Sequence, residues 1–244
     1  MRPRVILAIA LLAAASCDTA PDDELLVSAA ASLTDVFADL ETGFERDHPS
    51  IDVVINLGGT PMLRRQILEG APADVFASAG QADMDEVGAS GLISGQPRVF
   101  ASNRLQIAVR RGNPTAVGGL ADLAEPERLV GLCAETIPCG RLARMVLDEA
   151  GVDAAVDSEE PNVRALLSKI AGGELDAGIV YETDVIAEPG VEGVDIPEGV
   201  NRFNQYLIAV LAGSADPGIA EDFVTYVLSP AGQGIISDHG FGSP

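Results

Sequence analysis

Apolar residues in this chain follow two periods. Leu33, Val36, Phe37, Leu40 and Phe44 recur at steps of three and four, which places them on one face of a helix. The apolar run LLVSAAA just before it (residues 25–31) reads as a strand that stops at small residues. Ser32 stands at the junction, and with Asp35 three residues on it has the form of a capping box. The same strand-to-helix form returns at IDVVINL (51–57), followed by Gly58-Gly59-Thr60-Pro61. Thr60 there is a good N-cap and Pro61 the favoured first residue of a helix over 61–69. Residues 73–79 then predict a strand, and 81–90 a helix closed by Gly91.

Further along, LQIAV (105–109) predicts a strand that runs out to the turn cluster Arg110-Arg111-Gly112-Asn113-Pro114. A short helix over 119–125 and a strand over 128–133 follow. Pro138-Cys139-Gly140 opens a helix over 141–150, with Leu142, Met145, Val146 and Glu149 spaced along one stripe. Glu160-Pro161-Asn162-Val163 opens the next helix, which ends at Gly172-Gly173. DAGIVY (176–181) is a strand stopping at Tyr181, QYLIAVL (205–211) another, and helices cover 219–228 and 230–236.

Strands alternating with helices through short connections predict an α/β fold with mainly parallel sheets. Residues 105–109 read as the crossing into a second lobe and 205–211 as the return. That divides the chain into lobe I (25–103 plus 204–244) and lobe II (104–203). Four turns would present backbone N–H groups at a helix start: Ala31-Ser32, Gly59-Thr60, Pro138-Cys139-Gly140 and Asn162-Val163. Two precede the crossing and two follow it. In open α/β sheets such turns gather where ligands bind, so the plan is a cleft in which neutral donors from both lobes hold an anion.

The N-terminus changes the setting. Arg2 and Arg4 precede an apolar run from Val5 to Ala15, the pattern of a secretory signal over residues 1–16. Ala14-Ala15-Ser16-Cys17 resembles a lipobox, so Cys17 is the expected lipidation site and 17–24 a short acidic linker. Acyl chains on Cys17 would tether the protein to the outer face of a membrane, with no transmembrane helix. In an exported chain the remaining pair, Cys133 and Cys139, predicts a disulfide. A zinc site would need further Cys or His ligands at suitable spacing.

Charge excludes one class of partner. The formal net charge is −22, or −24 once Arg2 and Arg4 leave with the signal, which repels nucleic acid. Catalytic chemistry is thin. His48 and His239 sit in no nucleophile motif, and no Gly-x-Ser-x-Gly elbow, Walker loop or complete dinucleotide fingerprint follows a strand. Asp74 and Asp176 lie at strand starts, where solvated or capping carboxylates are the default. A hydrolase built on Ser32 would lack a nearby base.

Several short blocks, in order, carry a family resemblance: AAASLTDVF, RRQILEGAPADVFASA, PCGRLA, NVRALL, GIVYETD and the terminal GF. With them the chain resembles the periplasmic molybdate-binding proteins of bacterial ABC importers from about Leu25 to the C-terminus. The resemblance implies a two-lobe periplasmic-binding-protein fold of type II, with helices on both faces of the sheets and a two-strand hinge. It implies capture of molybdate, and of tungstate, for a membrane permease by an exported monomer. No enzyme activity and no cofactor or metal of its own are implied, since the bound oxyanion is cargo. The implied ligand set is Ser32 and Thr60 through hydroxyl and N–H, the N–H groups of Cys139 and Val163, and the phenol of Tyr181. Serine and alanine are more usual at positions 60 and 139, yet threonine keeps the hydroxyl and the Cys139 contact uses the main chain. Sulfate and thiosulfate would satisfy the same donors, so their rejection rests on cavity size. A sulfate- or thiosulfate-binding protein, or less readily an exported hydrolase, is the alternative.

Overall fold

The computed structural model describes residues 23–244. The expected signal peptide, Cys17 and the linker up to residue 22 lie outside the described residues. The chain runs Asp23–Ala30 (β1), Thr34–Asp47 (α1), Ile51–Gly58 (β2), Thr60–Leu68 (α2), Val75–Ser78 (β3), Gln81–Ala89 (α3) and Ile93–Arg110 (β4). It continues as Val130–Cys133 (β5), Pro138–Ala150 (α4), Val156–Glu160 (β6), Val163–Gly172 (α5), Ala177–Tyr181 (β7), Glu182–Ala187 (α6) and Val191–Asp195 (β8). Phe203–Leu211 (β9), Pro217–Leu228 (α7) and Pro230–Asp238 (α8) complete it. One-turn 3-10 segments lie at Ala31–Leu33, leading into α1, and at Leu120–Ala124.

The strands form one open path, β2-β1-β3-β9-β4-β7-β5-β6, with β8 paired to β4. The parallel pairs are β1 with β2 and β3, and β5 with β6 and β7. Every antiparallel pair contains β4 or β9. The sheet is therefore mixed, and the expectation of mainly parallel pairing holds only for its outer strands. The reason is topological: helix crossovers impose parallel pairing, whereas β4 and β9 pair antiparallel with each other and with their other neighbours at the centre of the sheet.

β4 is far longer than the apolar stretch at 105–109. Its first part pairs with β9 from Ile93 to Arg104, and its last part pairs with β7 and β8 from Leu105 to Arg110. The segment ISGQPRVFASNR carries Gly95 and Pro97 and shows no strand period, but register shifts between Ser94 and Arg98 absorb them. Tertiary pairing also creates β6, whose VDSEE sequence is polar, and β8 at VEGVD; neither has a strand signature. The linker ends earlier than expected, because Asp23 and Glu24 already pair with Ile51 and Asp52 of β2.

Side chains of β9 alternate between two cores. Tyr206, Ile208 and Val210 pack with Phe37, Phe44 and Phe223 of α1 and α7, whereas Leu207, Ala209 and Leu211 pack with Leu63, Met84 and Val87 of α2 and α3. Helices thus cover both faces of this part of the sheet. A separate core, formed between Leu105 and Ile196, packs α4 and α5 against β4, β5 and β7. In α4 the buried stripe is Cys139, Ala143, Val146 and Leu147, and Met145 is exposed. The expected stripe of Leu142, Met145, Val146 and Glu149 lies about a quarter of a turn from this face and shares only Val146 with it; the helix begins at Pro138, and its first turn is already inside the core.

Candidate functional site

The four helix starts singled out in the sequence converge on one small cavity. Ala31 and Ser32 form one wall, Gly59 and Thr60 a second, Pro138 and Cys139 a third, and Asn162 and Val163 a fourth. Tyr181 closes the remaining side, where β7 ends. All five residues of the expected ligand set are therefore brought together. The cavity measures about 20 Å³ over the positions open to a water centre, against the ~10–15 Å³ that one water needs. Only a compact solute fits this conformation.

Its chemistry is one-sided. None of the residues lining the cavity is Asp, Glu, Lys or Arg. In α2, α4 and α5 the helical ladder begins with Met62, Arg141 and Leu166, which donate to Gly59, Ile137 and Asn162. The N–H groups of Thr60, Cys139 and Val163 precede it and have no intrahelical acceptor. Pro138 removes one such donor by chemistry, so the N–H of Cys139 is the first that α4 offers. Partial positive charge at three helix starts adds to the donors.

The hydroxyls do not play the roles that local spacing suggested. Ser32 lies inside the 3-10 turn and makes no cap, so the box with Asp35 does not form. Its Oγ accepts instead from the buried Tyr206 hydroxyl at 3.0 Å. Thr60 is the first residue of α2, with Gly59 as N-cap, and its Oγ1 accepts from the Ala79 N–H at 3.4 Å. Asn162 does cap α5, accepting from the Ala165 N–H at 2.9 Å. Tyr181 is buried, and its phenol accepts from Asn204 Nδ2 at 3.1 Å. Burial, followed by the neighbouring Tyr206 and Asp184, pushes its pKa well up, so it keeps its proton throughout the physiological range.

Contacts reach across the cavity on both flanks. Arg164, next to Val163, pairs with Asp35 of α1. Arg141 of α4 pairs at 3.3 Å with Asp83 of α3, a carboxylate that Arg64 also holds at 3.0 Å. Backbone also meets backbone: a Cβ placed on Gly59 would stand 2.5 Å from the Pro161 carbonyl oxygen. The Cys133 and Cys139 sulfurs are bonded, which ties the first turn of α4 to the end of β5. Gly140 is required there, since a Cβ would lie 2.1 Å from the Ala134 carbonyl oxygen.

Asp184 lies behind Tyr181, wholly buried. Its Oδ2 accepts from the Tyr181 N–H at 3.1 Å, and its Oδ1 faces Arg164 Nε at 3.9 Å with no hydrogen bond. Burial pushes its pKa up to about 7, although Arg164 and the Tyr181 N–H pull the other way. Between the ordinary carboxyl range and pH 7 the folded protein holds a proton that the unfolded chain has released, so stability falls as pH rises through that window. The cost is complete above about pH 7 and amounts to about 4 kcal/mol at ~1.4 kcal/mol per unit. Asp184→Asn keeps the acceptor for Tyr181 and removes the charge. Melting curves should show the variant gaining several degrees over wild type at pH 8 and little at pH 5; an equal gain at both would contradict this assignment.

Asn204, Tyr206 and Ala79, which hold the hydroxyls from behind, escaped sequence reasoning, as did Arg164 and Asp184. Their partners lie up to 174 residues away in the chain. The local signal was slight: Asn204 and Gln205 are two polar residues before the apolar run of β9.

Residues 25–242 match the bacterial extracellular solute-binding protein family. The chain is 38% identical over 221 residues to the molybdate-binding protein ModA of Mycobacterium tuberculosis, covering 90% of this chain and 85% of that one. Among solved structures it resembles the periplasmic molybdate-binding protein of Azotobacter vinelandii, with a TM-score of 0.79, 23% identity and coverage of 90% and 99% of the two chains. It also resembles the sulfate-binding protein SubI of M. tuberculosis, with a TM-score of 0.80, 18% identity and coverage of 90% and 86%.

Proposed function

This chain belongs to the bacterial extracellular solute-binding protein family, in its ModA branch, and on that premise we propose that it captures molybdate, and tungstate with it, for import by an ABC transporter. The observation that carries the reading is a small cavity at which helix starts offer donors and no carboxylate stands. A fully ionised tetrahedral dianion presents only acceptors and matches such a lining. Phosphate keeps a proton at neutral pH and would bring a donor that meets no carboxylate in the lining. The ligand set is Ser32 and Thr60 through hydroxyl and N–H, the N–H groups of Cys139 and Val163, and the Tyr181 phenol. Charge-assisted hydrogen bonds from several converging donors hold a dianion without a cationic side chain.

Residues 25–103 plus 204–244 act as one lobe and 104–203 as the other, hinged at β4 and β9. The separate apolar cores on either side of Arg104 support this division. Closure traps the anion, and the closed protein is what a permease receives. No bond is made or broken, and no cofactor takes part. The protein works outside the cytoplasm as a monomer, held to the membrane through a lipid on Cys17; no helix among the described residues is long and apolar enough to cross a bilayer.

The fold shared with a sulfate-binding protein keeps sulfate as the second reading. A thermal-shift panel on the chain from Asp18 onward separates the two. Ligand at 100 times its dissociation constant stabilises by about 2.7 kcal/mol. Molybdate and tungstate should raise the melting temperature, with sulfate, thiosulfate and phosphate leaving it unchanged. A rise with sulfate alone would replace the ligand and retain the cavity.

A further inference from the structure

We propose that Asn204 and Tyr206 are positioning residues that, together with the Ala79 peptide, fix the three cavity hydroxyls as proton donors. The inference deepens the oxyanion reading and rests on it. A hydroxyl is ambivalent, since it can give one proton or accept through its lone pairs. A site for an unprotonated anion must remove that ambivalence.

Asn204 settles the matter for Tyr181. Its Nδ2 lies 2.8 Å from the Ala79 carbonyl oxygen and 3.1 Å from the Tyr181 hydroxyl. A carbonyl only accepts, so the amide must turn its NH2 to Ala79. One N–H is engaged there and the other donates to Tyr181. The phenol has then accepted, and its own proton must go elsewhere. Tyr181 lines the cavity, so an anion held there is within reach of that proton, and the resulting bond is charge-assisted.

Thr60 is treated alike. The Ala79 N–H, which can only donate, points at its Oγ1 from 3.4 Å. The single Ala79 peptide thus orients two walls, Thr60 through its N–H and Tyr181 through the carbonyl that aligns Asn204. Ser32 receives the Tyr206 hydroxyl at 3.0 Å. A phenol has one proton to give, and Tyr206 gives it to Ser32, whose Oγ accepts it.

Each of the three hydroxyls accepts one hydrogen bond from behind, which turns its own proton toward the cavity. The site therefore reads the protonation state of its ligand as well as its size. Unprotonated oxyanions gain three donors; a ligand carrying an O–H meets no carboxylate to receive it.

The test is a pair of double-mutant cycles read by calorimetric titration with molybdate at pH 8. Asn204→Leu removes the donor behind Tyr181 at similar volume. It should weaken binding about tenfold or more in the wild-type background, and by less than about threefold when Tyr181→Phe has already removed the hydroxyl. Tyr206→Phe deletes one oxygen and should behave the same way against Ser32→Ala; this cycle decides if Asn204→Leu does not fold. A role confined to folding would give the same loss in both backgrounds. That result, or no loss in the wild-type background, overturns the proposal. Wild-type protein that binds no molybdate overturns the functional reading and this inference together, whereas wild-type binding with additive cycles overturns the inference alone.

Discussion

Gly59→Ala should weaken molybdate binding by about a hundredfold or more while shifting the melting temperature of the ligand-free protein by no more than about 4 °C. The substitution is mild for the local chain. Gly59 has φ −62° and ψ 131°, a conformation open to any residue, and it serves as the N-cap of α2 without a side-chain bond. Glycine and alanine differ there by about 1 kcal/mol at most. The severe contact is remote in sequence: the new Cβ would meet the Pro161 carbonyl oxygen at 2.5 Å. Pro161 belongs to the turn from β6 into α5, across the cavity, and backbone on both sides leaves no flexible end to give way. Relief comes from holding the two walls apart, which separates the Thr60 and Val163 N–H groups. Two hydrogen bonds to a charged ligand, at roughly 1.5–3 kcal/mol each, are then misaligned. Calorimetric titration and a melting curve of the same sample check both halves of the prediction. Unchanged affinity would mean that Gly59 and Pro161 do not approach in the bound protein.

Ser32→Ala combined with Tyr181→Phe should cost roughly three orders of magnitude in affinity. Each change deletes one donor to the dianion, and the two side chains line the same cavity. Each also strands a buried partner, Tyr206 behind Ser32 and Asn204 behind Tyr181, so the ligand-free protein loses some stability as well. A fall in melting temperature without a fall in affinity would contradict the ligand set. Loss of affinity well beyond that of either single change is the expected pattern.

The helices, and the turns that open them, were legible because their signals are local. The period of Leu33 to Phe44, Pro61 and Pro138 at helix starts, and Asn162 before Val163 all act within a few residues, and these turns meet at one cavity. The strands β6 and β8 and the first half of β4 were not legible, since edge position and long-range pairing make them, not composition. At Ser32 and Thr60 the residue types were informative and the inferred roles were not. A hydroxyl near a helix start reads as a cap from sequence, yet here both face the cavity and take their hydrogen bonds from Tyr206 and Ala79. The layer behind the cavity needs the folded sheet, because β9 brings Asn204 between β3 and β7 only once β4 has crossed the molecule.

The most direct test is an anomalous difference map, recorded at the molybdenum absorption edge, from crystals of the chain grown with molybdate. One peak should appear within hydrogen-bonding range of Ser32, Thr60, Cys139, Val163 and Tyr181. A peak elsewhere, or an empty cavity in protein saturated with molybdate, would contradict the assignment.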